Sequence, residues 1–152
     1  MAEFIQKHKL FSFYSALMIA VVLIAIFAPW LAPGDAFSSN LSQALQAPSS
    51  QHWFGTDKLG RDVLSRIIYG TQLSLFMGVS IVVIMVSIGT IIGAVAGYFG
   101  GKIEMVLMRF ADIMLSFPGV VLAIAIAGIL GGSIVNTIIA LSVVGWAKYA
   151  RL

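Results

Sequence analysis

Three stretches of this chain carry no charged residue, histidine being counted as neutral: Leu10 to Gly34, Ile67 to Gly101 and Ile113 to Ala147. Each exceeds the roughly 18–20 residues that cross a hydrocarbon core about 30 Å thick. Composition agrees, since 60% of the residues are hydrophobic and 10% charged, against nearly half and a quarter in soluble domains. Leu73 to Gly97 alone holds 13 Leu, Ile, Phe or Val residues. At roughly −0.3 to −0.6 kcal/mol each they contribute up to about −4 to −8 kcal/mol towards insertion. The chain reads as an all-α integral membrane protein, a multi-pass helical bundle.

Four spans are expected, at about 11–31, 73–97, 105–130 and 134–150, forming one transmembrane domain over 1–152. The first begins after Lys7-His8-Lys9 and is stopped by Pro29 and Pro33. A cleaved signal is the alternative, but the apolar run exceeds the usual 7–15 residues and no clear small-x-small cleavage site follows it. The last charge-free stretch, 35 residues, would be about 52 Å long as one helix, so it is cut at Gly131-Gly132-Ser133. Pro118 is expected to loosen or kink the helix it sits in.

Charge then sets orientation. With four spans and the N-terminus cytoplasmic, Lys7, Lys9, Lys102, Arg109, Lys148 and Arg151 lie inside, and Lys58, Arg61 and Arg66 outside. That is the positive-inside pattern, and three spans would reverse it. The basic residues flank apolar blocks and form no long stripe, which argues against a nucleic-acid partner.

Small residues recur every fourth position as Gly89, Gly93 and Gly97, and as Gly119, Ala123, Ala127 and Gly131. Such rows let helices approach closely in lipid, within this subunit or against a partner. Arg109 and Asp112, three apart, are expected at the cytoplasmic edge, where they can pair and set helix depth or touch a partner.

The outer loop, 32–71, ends in a polar island: Gly55, Thr56, Asp57, Lys58, Leu59, Gly60, Arg61 and Asp62. A short helical turn is expected near Leu41 and Leu45. Thr56 or Asp57 caps a turn, Gly60 breaks it, and an interfacial helix feeds the second span. Asp57–Arg61 and Asp62–Arg66 are both spaced i,i+4 for ion pairs. The island does not match a phosphate loop or a calcium loop. His8 and His52 fall on opposite sides, so they cannot share a metal, and no histidine is placed to activate a serine. No cysteine is present. No catalytic residue, cofactor or metal site is expected.

Phe54 to Arg66, then Ala96-Gly97-Tyr98-Phe99-Gly100-Gly101, Met108 to Ile113, Phe117-Pro118 and Trp146 to Arg151 together resemble one family. These are the inner-membrane permeases of binding-protein-dependent ABC importers for dipeptides, oligopeptides and nickel. The resemblance implies a subunit of the bacterial cytoplasmic membrane that forms part of a translocation path with a sister permease. It also implies two ATPase subunits below and an extracytoplasmic solute-binding protein above. Gly55, Thr56, Asp57, Gly60, Arg61 and Asp62 become outer-face docking candidates. Arg109, Asp112, Pro118, Lys148, Tyr149 and Arg151 become partner contacts at the cytoplasmic edge. In such permeases a coupling loop and further spans follow the helix carrying Trp146, whereas this sequence stops at Leu152, after about the first half. A fragment of a transporter, a truncated non-transporting product and a small four-helix assembly or regulatory protein stand as alternatives. Gly145 to Tyr149 leans slightly, by resemblance alone, to the nickel subgroup.

Overall fold

A computed structural model describes residues 9–152; Lys7 and His8, assigned above to the cytoplasmic start, lie outside the described residues. Six α-helices occur among them, with no strand: α1 Lys9–Ile26, α2 Ala28–Leu31, α3 Val63–Phe99, α4 Gly101–Ser116, α5 Gly119–Leu130 and α6 Ile134–Ala150. A 3-10 turn at Leu41–Gln43 matches the short helical turn expected in the loop.

Two compact units share the chain, one up to Phe76 and one from Met77 to Leu152. Their boundary falls inside α3 and not in a linker. In the first unit, α1 stops at Ile26 and the single turn α2 begins at Ala28, with Pro29 in its first turn. Proline is tolerated there because it gives up an N–H that has no helical partner. Pro33 then prevents further helix. α3 starts directly after Asp62, where the interfacial helix was expected. The interfacial helix and the second span are one 37-residue helix, about 55 Å long. Gly70 does not interrupt it.

In the second unit α6 is the central element. Ala111 of α4 packs with Trp146, Ala147 and Ala150, bordered by Ile92, Met108 and Met114. Part of the expected glycine row explains the fit of α3 on α6. A Cβ on Gly89 would lie 2.5 Å from the Tyr149 Cβ, and one on Gly93 only 2.7 Å from the Ala150 carbonyl oxygen. Gly97 has no atom within 4 Å of that position, so it takes no part in the contact. Gly145 on α6 receives the side chain of Met85, a meeting the four-residue rows did not signal.

The 105–130 segment differs from a merely kinked helix. α4 ends at Ser116, Phe117 is extended (φ −86°, ψ 146°), and the α4–α5 pair is bent by 89°. Pro118 lacks an N–H and its ring drives Phe117 out of the helical region, so the ladder stops altogether. α5 and α6 then form a tight hairpin through Gly131 (φ 91°). Ser133 caps α6 by accepting from the Asn136 N–H, and the Asn136 amide donates to the carbonyls of Leu130 (2.6 Å) and Gly131 (3.0 Å).

α1 and α3 are each long and apolar enough to cross a membrane, and the bent α4–α5 pair counts as a third span if taken together. Only 6% of the apolar window of α1, and likewise of α3, is buried within the chain. Such surfaces require lipid or other protein around them.

Candidate functional site

The polar island is a folded knot within the first unit. Asp57 and Asp62 organise it from opposite ends. Asp57 Oδ1 accepts from the backbone N–H of Leu59 (2.8 Å) and Arg61 (3.0 Å), closing the turn. Its Oδ2 accepts from Arg61 Nε (2.9 Å) and ion-pairs with Arg61 (2.8 Å) and Arg66 (2.5 Å). The Arg61 backbone N–H, above all, holds the Asp57 carboxyl well below the ordinary carboxylate range; the Arg61 side chain and the Leu59 N–H add to this against partial desolvation.

Asp62 is 3% exposed and caps α3. Its Oδ2 accepts from the Ser65 N–H (2.8 Å) and the Ser65 hydroxyl (2.7 Å), while Oδ1 lies 3.0 Å from His52 Nδ1. An ionised carboxylate can only accept, so the ring presents Nδ1–H. Burial by itself would raise the Asp62 carboxyl, but the bonds from Ser65 and His52 outweigh it and the group lies below its ordinary value. Ser65, fully buried, accepts in turn from the Gly34 N–H (3.0 Å). One carboxylate thus joins the start of α3 to the loop at His52 directly, and to the loop's beginning at Gly34 through Ser65.

Thr56 ties the same knot to the first half of the loop. Its hydroxyl donates to the Gln43 carbonyl and accepts from the Gln46 N–H (2.9 Å). Gln46 O accepts from the Thr56 N–H (3.1 Å) and Leu45 N–H donates to Asp57 O (3.0 Å). The two island glycines are needed where the strands of the loop cross. Gly55 (φ 72°) faces the Gln46 carbonyl and Gly60 (φ 74°) the Asn40 carbonyl, positions where no Cβ fits.

The expected Asp57–Arg61 pair forms. The expected Asp62–Arg66 pair does not, because Asp62 is engaged inward by Ser65 and His52, and Arg66 reaches back to Asp57. His52, Ser65 and Gly34 were missed by the sequence reading. Only Ser65 had a local signal: Asp at the residue before an apolar helix, bonding three residues on, is an N-cap spacing. Serine, histidine and aspartate meet here, but both partners bond to Asp62 and not to each other. The arrangement is a clasp, in which the Ser65 hydroxyl meets the Asp62 carboxylate and not the imidazole.

The second cluster lies in the second unit. Asp112 forms an ion pair with Arg151 and not with Arg109 three residues before it. Phe110 stacks on Trp146 at 6.0 Å with the rings 21° apart. Lys148 is exposed, Tyr149 lies against Gly89, and Pro118 makes the break described above. Of the second small-residue row, Ala123 is buried, Ala127 half-buried, and Gly119 faces Val144 with room for contact at 3.4 Å.

Comparison with known proteins bears on both clusters. The profile of the family described as binding-protein-dependent transport system inner membrane component matches residues 89–152. The profile described as the N-terminal transmembrane domain of oligopeptide transport permease C matches residues 5–48. A dipeptide transport system permease protein of Alkalihalophilus pseudofirmus is 45% identical over 97% of this chain and 49% of its own length. The chain belongs to the binding-protein-dependent transport permeases.

Two further relatives agree. A probable D,D-dipeptide transport system permease protein of Escherichia coli is 41% identical over 91% of this chain and 46% of its own length. A glutathione transport system permease protein of Shigella sonnei is 45% identical over 89% and 45%. This chain spans about half the length of the curated relatives it matches. Permeases of this family are multi-pass proteins of the bacterial inner membrane and are not themselves catalytic, in keeping with the apolar helices here. The 89–152 match contains the whole Gly89–Gly93–α6 contact and the Asp112–Arg151 pair. The island falls between the two profile matches, inside the stretch shared with the dipeptide permease.

Proposed function

We propose that the chain forms part of the translocation path of an ATP-driven importer that carries di- or oligopeptides across the bacterial inner membrane. The observation that carries this reading is 45% identity to a dipeptide permease across 97% of the chain, the island included. The relatives named above handle dipeptides or glutathione, which favours a peptide-type substrate over nickel.

Four helices, α1, α3, α5 and α6, enter the membrane, with the N-terminus cytoplasmic. Lys102, Arg109, Lys148 and Arg151 then share the cytoplasmic side, and Lys58, Arg61 and Arg66 the outer side. On this topology the island faces the compartment of a solute-binding protein. Its internal hydrogen bonding suits it to hold a fixed shape for docking, with Gly55, Thr56, Asp57, Gly60, Arg61 and Asp62 setting that shape. Arg109, Asp112, Pro118, Lys148, Tyr149 and Arg151 shape the cytoplasmic edge, where a sister permease and two ATPase subunits join. ATP hydrolysis belongs to those ATPases. Gly89, Gly93 and Ala123 pack helices within the subunit, while Gly97 remains open to a partner or to lipid.

The test is uptake of a labelled dipeptide and of radioactive nickel by cells with and without the gene, together with affinity purification of the gene product. Loss of dipeptide uptake and copurification of an ATPase are the expected results. Unchanged dipeptide uptake would overturn the substrate assignment, and purification without any ATPase would overturn the importer itself.

A further inference from the structure

α4 differs from its neighbours in having three distinct sides. Met108, Ala111 and Met114 form the side packed towards α6. Lys102, Arg109 and Asp112, spaced i, i+7, i+10, form a charged side. Between them runs a third, apolar side of Ile103, Val106, Phe110 and Ile113, exposed by 45–66%. That stripe repeats at three and four residues and continues into exposed Phe117.

The direction of α4 follows from the hairpin beside it. α6 carries its only charge, Lys148, near its C-terminal end, with Arg151 just beyond, so that end belongs at the membrane surface and the charge-free remainder belongs inside. α5 has no charge and returns along α6. α4 is turned 89° from α5 and meets α6 at its charged end, through the Phe110–Trp146 stack and the Asp112–Arg151 pair. A helix perpendicular to the hairpin, at the level of its charged end, lies in the plane of the bilayer surface. We infer that α4 is an interfacial helix whose Ile103–Val106–Phe110–Ile113 side is seated in lipid acyl chains, with Lys102 and Arg109 turned to the headgroups.

Lipid is the occupant that the charges select. An in-plane helix buries an apolar face about 5–10 Å into the headgroup boundary and keeps its cations in water. The third membrane-entering segment then begins at Gly119 and not near Met105. α5 is only about 18 Å long by its 12 residues, and the turn at its far end needs few outside partners. Asn136 already serves the Leu130 and Gly131 carbonyls, as backbone at membrane depth requires. The inference uses only the membrane character of the chain and does not depend on its cargo.

The absence of cysteine makes the experiment direct. The full chain carrying Ile103→Cys, Val106→Cys, Ile113→Cys or Lys102→Cys is labelled with bimane and reconstituted into phosphatidylethanolamine–phosphatidylglycerol vesicles. Some of the lipid carries a doxyl group at carbon 5 or at carbon 12. Ile103 and Ile113 are about 15 Å apart along the axis of α4. An in-plane helix gives all three stripe positions the same depth: quenching by the carbon-5 probe exceeds that by carbon-12, in ratios agreeing within about twofold, and the Lys102 position is quenched least. A progressive change from Ile103 to Ile113 means that α4 runs along the membrane normal and overturns the inference. Absence of quenching at all three positions means that protein covers the stripe, and overturns it equally.

Discussion

Removing the Asp62 carboxylate should open the island without disturbing the α5–α6 hairpin. Asp62→Ala deletes an N-cap, worth about 1 kcal/mol within a 0.5–2 range. It also removes bonds from the Ser65 hydroxyl and His52 to a charged acceptor, each of a kind worth about 1.5–3 kcal/mol. These groups act together, so the contributions are not summed; about 3 kcal/mol is the working figure, with 2–4 as its range. Because Ser65 also holds the Gly34 N–H, the loss should spread to the start of the loop. At about 1.4 kcal/mol per factor of ten, local opening becomes about a hundredfold more frequent.

Hydrogen–deuterium exchange of the reconstituted chain reads this directly. Peptides covering Gly34 to Ser38 and Gln46 to Ser65 should exchange about a hundredfold faster in Asp62→Ala, while those covering Gly119 to Ala140 keep their wild-type rates. Asp62→Asn should fall between, since an amide oxygen can still cap α3 but the acceptor charge is gone. If Asp62→Ala leaves the loop peptides within threefold of wild type, the carboxylate is not what holds the island and the clasp is wrong.

Three further outcomes follow from the geometry. Gly93→Ala forces a methyl against the Ala150 carbonyl oxygen and should cost about 1–3 kcal/mol by overpacking, whereas Gly97→Ala, with open space, should be neutral or slightly stabilising in thermal unfolding of the detergent-solubilised chain. Asp112→Asn breaks an ion pair whose side chains are 40% and 47% exposed, so its effect in the same assay should stay below about 1 kcal/mol, far less than that of Asp62→Ala. Asp57 and Asp62 both have lowered carboxyl values, so their stabilisation is complete above the unfolded value of about 3.9 and is lost as pH falls through the lower native values; Trp53 emission in a Trp30→Phe, Trp146→Phe background should hold steady from pH 7 to about pH 5 and change only below about pH 4.

Features with a local cause were legible in the sequence. Charge-free length marked α1 and α3, Pro118 marked the interruption between α4 and α5, and Gly131-Gly132-Ser133 marked the hairpin. The i,i+4 spacing of Asp57 and Arg61 produced the pair it suggested. The full 89° turn at Pro118 was not legible, because a proline announces a lost hydrogen bond and not the direction taken afterwards. That the interfacial helix and the second span form one helix was not legible, yet the lone Gly70 between them costs a strongly apolar helix only about 1 kcal/mol, which the surrounding apolar residues outweigh.

The site was legible in its location and not in its wiring, for a physical reason. Asp62 has two eligible neighbours at helical spacing, Ser65 and Arg66, and spacing alone cannot decide between them. Burial decides. At 3% exposure the carboxylate needs every acceptor position filled by a donor that can follow it inside, and a backbone N–H, a serine hydroxyl and an imidazole N–H do so at less desolvation cost than a guanidinium. Arg66, 45% exposed at its side chain, then takes the acid that remains near solvent, Asp57. The same rule separates the two ion pairs of the island from the clasp beneath them. The charges that meet water define a surface, and the charge that does not sets the shape on which that surface stands. On the docking role proposed above, a partner reads Asp57, Arg61 and Arg66 directly, and Asp62 only through the geometry it imposes on them.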